Sequence, residues 1–177
     1  MKRDILIATH NLDKLKELED LLNPLQFRLH FLHELPDFLP PEEDQDTLQK
    51  NAMKKALEAA KFSGLITLAD DTGLFIAALN DAPGIMSARF AGNSCSYSDN
   101  RQKVLSLMQN TDQRKAYFKT AVALAAPDGI MAIIEGRLDG EITTEEYGSN
   151  GFGYDSIFVV NGKTYAEMKA IEKNRLS

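Results

Sequence analysis

The sequence predicts an α/β protein built on a mixed sheet with flanking helices. Short aliphatic runs alternate with amphipathic helices in the first part of the chain, and two long extended runs separated by a turn follow later. Alternating strands and helices favour parallel pairing, whereas a tight turn between extended runs forms an antiparallel hairpin. A sheet that holds both kinds of pairing, with helices on its faces, is therefore expected.

Strand and helix signals fill the chain up to a pair of adjacent aspartates. DILIAT (4–9) is short and aliphatic, as in a buried strand, and NLDKLKELEDLL (11–22) spaces its leucines by three or four residues from Leu12, as on the inner face of a helix. A second helix is expected over 47–62 with Thr47 as its cap, and the segment LITLA follows it as a strand. Each helix would bury its apolar face against the sheet.

The second part of the chain predicts the hairpin and the remaining elements. LFIAAL (74–79) is interpreted as a strand, and Ser98 as the cap of a third helix. KAYFKTAVALAA and IMAIIEGRL form the arms of the hairpin around the turn residues 127–129. YDSIFVV (154–160) is one more strand, and a final helix is expected from Thr164, which has a glutamate three residues on, as in a capping box.

Composition and charge narrow the class of protein. A chain of 177 residues suits a single domain, 1–177, with a real core. The net charge of −6 and the pI of about 5.1 argue against binding to nucleic acid. Cys95 is the sequence's single cysteine and cannot form an internal disulfide, and no segment approaches the roughly 20 apolar residues that span a bilayer. We expect a cytoplasmic protein that binds neither nucleic acid nor membranes.

The junction THNLDK (9–14), between the first strand and the first helix, is one candidate binding site. A helix start presents N–H groups and a partial positive charge, which suit a phosphate group, and a lysine in the first turn can reach back over it. The junction lacks the glycine-rich pattern of a P-loop, and an ordinary capped surface helix is the alternative interpretation. The candidate residues are Thr9, His10, Asn11, Leu12, Asp13 and Lys14.

A pair of adjacent aspartates, Asp70 and Asp71, lies where an apolar run ends. Side chains alternate along a strand, so the two carboxylates should point to opposite faces, and neither is easily buried without a partner. Mg²⁺ binds one or two carboxylates together with substrate phosphates, and the carboxyl end of a strand is well placed for such a site. Thr72 and Gly73 would add a hydroxyl and a tight turn. A solvated turn is the alternative.

The glycine-rich loop GSNGFGYD (148–155) is a candidate site for a base. Its glycines allow a close approach of the backbone to a ligand, Phe152 and Tyr154 could stack on a base, and Asp155 could accept hydrogen bonds from its edge. A hairpin turn with aromatic residues in the core would explain the same residues. The pattern alone leaves both interpretations open.

Two further charged segments are ambiguous from sequence. The acidic, proline-rich loop LPDFLPPEEDQD (35–46) is typical of a solvated surface, but Glu43, or in its place Glu42 or Asp37, could supply a second carboxylate to a metal. Lys173 is an isolated cation, and such residues are most often surface charges.

Together these segments resemble the inosine triphosphate pyrophosphatase family. The resemblance rests on ATHNLDKLKELEDLL, LADDTGLFIAALNDAPGIMSARFAG, GFGYDSIF and TYAEMKAIEKNRLS, which span almost the whole chain. It implies an elongated, two-lobed α/β fold with a central cleft, and usually a homodimer. It also implies Mg²⁺-dependent hydrolysis of ITP, dITP and XTP to the monophosphate and pyrophosphate, which cleanses the nucleotide pool of deaminated purines.

The resemblance also implies roles for individual residues. Thr9, Asn11 and Lys14 would surround the triphosphate, and Asp71 would hold Mg²⁺ and act as the base for the attacking water, with Asp70 beside it. Thr72 would contact the substrate. The base would lie against Phe152, Gly153, Tyr154, Asp155 and Lys173.

Two departures from the family pattern bear on function. His10 stands where the family usually has glycine, and we interpret it as a tolerated substitution. Family members normally continue past the position of Ser177 into a His-Arg pair that contacts the base, so this domain is expected to lack the family's C-terminal tail. The alternative function is therefore a nucleotide-binding protein with weak or broadened hydrolysis of nucleoside triphosphates.

Overall fold

The computed structural model describes residues 3–176, which form eight strands and four helices of more than one turn. The strands are β1 (Asp4–Ile7), β2 (Arg28–Phe31), β3 (Ile66–Ile76), β4 (Pro83–Gly84), β5 (Lys115–Ala126), β6 (Gly129–Ile142), β7 (Phe158–Val160) and β8 (Lys163–Thr164). The helices are α1 (Leu12–Leu22), α2 (Leu48–Ser63), α3 (Tyr97–Leu107) and α4 (Ala170–Asn174).

The strands form one mixed sheet, which confirms the predicted fold class. Their order is β2-β1-β3-β5-β6-β7-β8, and β4 pairs with β3. β1 runs parallel to both β2 and β3, with Ile5 opposite Leu29 and Ile66, whereas β6, β7 and β8 pair antiparallel in succession. The parallel part belongs to the alternating strands and helices, and the antiparallel part follows the hairpin, as the sequence pattern predicts.

The chain divides into two compact units. The first unit comprises the described residues up to Asp71 together with Thr120–Glu135, and the second comprises Thr72–Lys119 together with the described residues from Gly136 onward. Each unit has its own set of buried residues.

The first unit buries the aliphatic strand β1 and one face of α2. Leu6 and Ile7 of β1 are fully buried. α2 begins after Thr47, whose side chain accepts a hydrogen bond from the Lys50 N–H at 3.2 Å, and it ends at Gly64, whose φ of 73° suits a residue without a Cβ. Its buried face consists mostly of alanines: Leu48, Asn51, Ala52, Ala56, Ala59 and Ala60.

The predicted inner face of α1 is only partly correct. Leu12 is 79% exposed, because it is the first helical residue and lies before the turn that packs. Leu15, Leu18 and Leu22 are half-buried, and α1 has no fully buried residue. The helix therefore packs against the first unit through only part of its leucine-bearing face.

The second unit has a continuous apolar core. Its buried members come from β3, α3, β5 and the last third of the chain: Leu74, Ile76, Val104, Met108, Ala116, Ile142, Tyr154, Ile157, Phe158, Val160 and Met168. Phe158 is at the centre of an aromatic group, with ring centroids 4.6 Å from Phe118 and 5.9 Å from Tyr165 in edge-on geometry. Large side chains thus fill this core, in contrast to the alanine-rich face of α2.

One correction concerns the aspartate pair, which lies inside a strand and not before a turn. β3 runs without interruption from Ile66 to Ile76, so the two predicted strands are one and the predicted tight turn at Gly73 is wrong. Gly73 is needed for a different reason: a Cβ at that position would lie 2.5 Å from the carbonyl oxygen of Gly84 in the paired strand β4. The glycine permits a close approach of two backbones.

Three other predicted boundaries also differ from the structure. α3 is capped by Ser96 and not by Ser98: Ser96 accepts from the Asp99 N–H at 3.2 Å, and Asp99 accepts from the Ser96 N–H at 2.8 Å. The predicted strand over 154–160 begins with a 3₁₀ turn, and only β7 is extended. Thr164 caps a single 3₁₀ turn, and α4 starts later than predicted.

The hairpin prediction is confirmed, since β5 and β6 are separated only by Pro127 and Asp128. β6 is mostly exposed, including Ile130, Met131, Ile133 and Ile134. Among residues 3–176, no helix has the length and apolar character that crossing a bilayer requires.

Candidate functional site

The junction after β1 forms a tightly hydrogen-bonded helix start. The side-chain oxygen Oδ1 of Asn11 accepts from the Asp13 N–H at 3.0 Å and from the Lys14 N–H at 3.2 Å, as an N-cap does. Thr9 Oγ1 accepts from the Asn11 N–H at 3.2 Å. His10 is exposed, so its side chain does not disturb this arrangement.

Lys14 reaches from this helix start to the first aspartate of the pair. Its Nζ forms an ion pair with Asp70 Oδ2, and the side chains are 21% and 8% exposed. Burial lowers the pKa of the Lys14 ammonium, but the charge and hydrogen bond of Asp70, helped by Asp71 and Glu43, outweigh it and keep the pKa above its ordinary value. The lysine is therefore charged, as a group that meets phosphate must be.

The second aspartate faces a different set of partners. Asp71 Oδ2 accepts a hydrogen bond from Asn51 Nδ2 at 3.0 Å, and Asp71 Oδ1 lies 3.8 Å from Lys55 Nζ. Lys55 Nζ is also 2.6 Å from Glu43 Oε1, so one ammonium lies between two carboxylates. We call Lys14, Glu43, Asn51, Lys55, Asp70 and Asp71 the aspartate cluster.

Electrostatics in the aspartate cluster disfavour the charged form of Asp71. Burial is the largest cause that raises the pKa of Asp71, and the negative charge of Glu43 adds to it. Lys55, the hydrogen bond from Asn51, and Lys14 oppose the increase. Two carboxylates held this close repel each other, and an added cation would relieve that repulsion.

The donor set of the cluster fits a magnesium ion that a polyphosphate also holds. Asp71 and Glu43 offer carboxylate oxygens, and Mg²⁺ usually takes one or two protein carboxylates and completes its shell with water and phosphate oxygens. In the part of the chain that the structure describes, no group of three or more His, Cys, Asp and Glu side chains is arranged to hold a metal.

Sequence reasoning missed two members of this cluster, Asn51 and Lys55. They lie four residues apart on α2, and Asn51 is almost fully buried amid alanines while its Oδ1 accepts from the Gln45 N–H at 3.0 Å. Asn51 therefore ties the acidic loop to Asp71. The detectable signal was a polar residue on the apolar face of a helix, which indicates a buried hydrogen-bond partner.

The glycine-rich loop of the second unit is closed by a buried ion pair. Lys173 Nζ of α4 pairs with Asp155 Oδ2, and the side chains are 8% and 12% exposed. Asp155 Oδ2 also accepts from the Phe152 N–H at 3.1 Å. Lys173 is therefore not an isolated surface charge: it anchors the loop from its inner side.

Gly151 is required by this ion pair. Its φ is 82°, and a Cβ built on it would collide with both Asp155 Oδ2 and Lys173 Nζ. Gly153 also has a positive φ, 57°, but nothing lies within 4 Å of the position of its Cβ. The first glycine makes room for the anchor, while the second only shapes the turn.

The two aromatic residues of the loop have different positions. Tyr154 is buried in the core of the second unit and donates its hydroxyl hydrogen to the Ser87 carbonyl at 2.8 Å, and burial raises its pKa. The structure thus favours the core position that the sequence left open for Tyr154. Phe152 is half-buried, and its ring centroid is 6.0 Å from that of Tyr97.

A small pocket of about 110 Å³ adjoins the loop. Its walls include most of the loop backbone, Phe152, Asp155 and, from α3, Arg101. Arg101 was not predicted from sequence, because an arginine at the middle of a helix reads as a surface charge.

Thr72, the residue after the aspartates, is half-buried in β3 of the same unit.

Comparison with known proteins identifies the family of this chain. A family model described as the Ham1 family matches residues 5–177. The chain belongs to the Ham1 family. The resemblance read from the sequence motifs is thereby confirmed.

Relatives of this Ham1 protein are named for a nucleotide activity. A dITP/XTP pyrophosphatase of Desulforamulus reducens is 43% identical over 177 residues, covering 98% of this chain and 88% of that protein. Another of that name, from Elusimicrobium minutum, is 44% identical over 181 residues, covering 98% and 92%. A solved HAM1 protein from Coxiella burnetii has a TM-score of 0.89 at 40% identity, covering 99% of this chain and 91% of that one.

Proposed function

We propose that this Ham1 protein hydrolyses noncanonical purine nucleoside triphosphates, dITP, ITP and XTP, to the monophosphate and pyrophosphate. The observation that most supports this proposal is the aspartate cluster, in which two buried aspartates and two lysines lie beside a helix start. Lys14 and the capped turn after Thr9 suit phosphate oxygens, and Asp71 and Glu43 suit a divalent cation. The relatives' names, dITP/XTP pyrophosphatase, support the same reaction.

The residues of the cluster divide the work of the reaction. Water attacks the α-phosphorus, the bond to the oxygen that bridges to the β-phosphorus breaks, and pyrophosphate leaves. Asp71 accepts the proton of the attacking water through its carboxylate. Lys14 offsets negative charge on the phosphate oxygens, while Asp70 holds its ammonium in place.

Asp71 and Glu43 would hold Mg²⁺ with the substrate's phosphates. A bound divalent cation supplies charge neutralisation at the phosphate oxygens and favours the carboxylate form of its ligands. Asn51 orients Asp71 through its amide, and Lys55 keeps Glu43 near it. The residues from Thr9 to Lys14, including His10, Leu12 and Asp13, would border the polyphosphate at the positive end of the α1 dipole.

Selection of the base is assigned to the glycine-rich loop. Phe152, Gly153 and Asp155 would contact the purine, with Tyr154 beneath them in the core, Lys173 as the anchor and Thr72 near the substrate. A 6-oxo purine would satisfy polar groups there that the amino group of adenine would leave unpaired. Such mismatches of buried hydrogen bonds discriminate strongly.

We also propose that the protein is a cytoplasmic single-domain enzyme that acts as a homodimer on free nucleotides. The run Ile130–Ile134 of β6 carries four exposed large apolar side chains, and clusters of this kind mark interaction surfaces. A second copy is the occupant that the family resemblance implies, and two-fold dimers are the commonest oligomers. Light scattering of the purified chain, with Ile134→Lys as the dimer-breaking variant, measures this directly.

The test of the function is pyrophosphate release from dITP, XTP, GTP and ATP, with Mg²⁺ and with a chelator. We expect metal-dependent release that favours dITP and XTP and forms one pyrophosphate per monophosphate. Equal release from ATP and GTP, or inorganic phosphate in place of pyrophosphate, would contradict the proposal. The alternative, a nucleotide-binding protein with weak or broadened hydrolysis, is less favoured because relatives 43% and 44% identical are named dITP/XTP pyrophosphatase, and because the ion pairs bring Lys14, Glu43, Asp70 and Asp71 into one cluster.

A further inference from the structure

Arg101 of α3 connects the two ends of the glycine-rich loop. Its Nε donates to Glu146 Oε2 at 2.8 Å, and its Nη1 donates to the Gly153 carbonyl at 2.9 Å. Ser156 Oγ donates to the same Glu146 oxygen at 2.8 Å. One guanidinium therefore bonds to a carboxylate just before the loop and to a carbonyl within it.

The helix that carries Arg101 is itself held firmly at its start. Ser96 and Asp99 form a reciprocal capping box. Asn100, which is 2% exposed, accepts from the Ala91 N–H at 2.7 Å and donates to the Ala88 carbonyl at 3.1 Å. The neighbouring side chain of Arg101 thus extends from a fixed support, as a positioning residue requires.

Arg101 contacts the loop at Gly153, which has no side chain that could form a hydrogen bond or pack against other residues. Gly153 has open space around the position of its Cβ and a φ of 57°. Its carbonyl is therefore the available attachment point, and a planar guanidinium with several donors can bond to it and to a carboxylate together. The Asp155–Lys173 pair anchors the other side of this turn.

We propose that Arg101, oriented by Glu146, is a positioning residue that holds the Gly151–Asp155 turn in the shape that receives the purine base. This inference rests on the proposed function and adds to it a specificity-determining residue outside the predicted motifs. Arg101 is only 18% exposed and lines the pocket beside the loop, unlike a surface ion pair with both groups in water. Its effect should depend on the base of the nucleotide.

The decisive variant is Arg101→Ala, compared with Lys103→Ala as a matched control. Lys103 is on the same helix and also donates to a backbone carbonyl, that of Phe90, which lies outside the loop. Loss of a charge-assisted hydrogen bond predicts that KM for dITP and XTP rises about tenfold in Arg101→Ala while kcat changes by less than about twofold. Inhibition by tripolyphosphate, which has no base, should stay unchanged, as should every constant in Lys103→Ala.

Glu146→Gln separates the orienting carboxylate from the guanidinium. It keeps an acceptor oxygen for Arg101 but removes the charge, so a smaller rise of KM in the same direction is expected. A double variant, Arg101→Ala with Glu146→Gln, should be no worse than Arg101→Ala alone, because both changes release the same turn.

Amide hydrogen exchange gives a readout that does not require turnover. In Arg101→Ala the N–H groups of Phe152 and Asp155 should exchange faster than in the unaltered protein, with the core of the second unit unchanged. Unchanged exchange in the loop would overturn the proposal, and so would faster exchange with KM unaltered, or an equal loss of tripolyphosphate binding. If the unaltered protein hydrolyses none of the nucleotides, the proposed function fails, and the exchange result still decides whether Arg101 holds the loop.

Discussion

The aspartate cluster consists mostly of charged side chains, whereas the glycine-rich loop consists mostly of backbone. The cluster places charged side chains at the start of α1, on the inner face of α2 and within β3, and these charges face one another. The loop is mostly backbone, and distant side chains, Lys173 and Arg101, hold it in shape. Helices and a strand thus carry most side chains of the cluster, with Glu43 added from the acidic loop, whereas the glycine-rich loop is held by side chains from other elements.

The difference implies that single substitutions should act on different quantities in the two regions. In the cluster they should change the rate of the chemical step, and in the loop they should change stability and substrate affinity.

Removing the charge of Asp71 should have the largest effect. Asp71→Asn keeps the size of the side chain but removes the metal ligand and proton acceptor, so kcat for dITP should fall roughly 10³-fold. The measurement is pyrophosphate release at saturating substrate and Mg²⁺. Asp20→Asn, an exposed change on α1, is the control and should keep full activity. Activity within about tenfold of the unaltered protein in Asp71→Asn would exclude Asp71 as the base.

Adding a side chain at Gly151 should disrupt the ion pair that anchors the glycine-rich loop. In Gly151→Ala the new methyl group meets the Asp155–Lys173 pair, so the free energy of unfolding should fall by about 3 kcal/mol. Gly153→Ala, with a similar φ and open space, should cost only about 1 kcal/mol of backbone strain. Urea unfolding of both variants measures the difference. Equal losses would show that Gly151 serves backbone conformation alone.

A third pair of variants tests the close approach of β3 and β4. Gly73→Ala should destabilise the protein by about 2 kcal/mol, because its Cβ would lie 2.5 Å from the Gly84 carbonyl oxygen. Gly136→Ala, in the open part of β6, should be neutral or stabilise by about 0.5 kcal/mol. Thermal unfolding is sufficient for this comparison. A harmless Gly73→Ala would mean that a turn, and not a tight strand pair, follows the aspartates.

The smallest effect concerns an ion cluster that is exposed, unlike those of the two sites. The ring nitrogens of His30 donate hydrogen bonds to the carboxylates of Glu34 and Asp4, at 2.9 and 3.0 Å, and these bonds raise the pKa of His30. A raised folded-state pKa stabilises the fold below the unfolded value of about 6.5, and this stabilisation is lost as the pH rises through the folded value. The stabilisation from charged His30 should be below about 1 kcal/mol.

The measurement for this cluster is the unfolding free energy between pH 5 and pH 9, roughly the range in which histidine titrates. His30→Asn should lose the decline of stability with rising pH, whereas His10→Asn, an exposed histidine, should keep it. A decline of the same size in His30→Asn would assign it to other groups.

Local patterns predicted most of the regular elements. The leucine spacing of α1, the Thr47 cap of α2 and the turn after β5 are short-range signals, and the structure has all three. Lys14 and the aspartates were predicted as site residues because they lie at a helix start and where an apolar run ends. The structure pairs Lys14 with Asp70.

Residues that act across long sequence separations were not predicted. Asn51 is 20 residues from Asp71, and Arg101 is 52 residues from Gly153, so no local pattern announces either contact. The turn predicted at Gly73 was wrong for a related reason: glycine is common in turns, whereas here it permits the close approach of β4. Such contacts depend on which segments tertiary packing brings together, and hydrophobic periodicity does not encode this.

The division of labour between the two regions is tested most directly by kcat and KM for XTP and GTP in Asp71→Asn and Arg101→Ala. The account predicts that Asp71→Asn lowers kcat by the same factor for both nucleotides and leaves the XTP to GTP preference unchanged. Arg101→Ala should instead raise KM for XTP and reduce that preference. If both variants lost kcat and preference in parallel, the account of a chemical region and a separate recognition region would be contradicted.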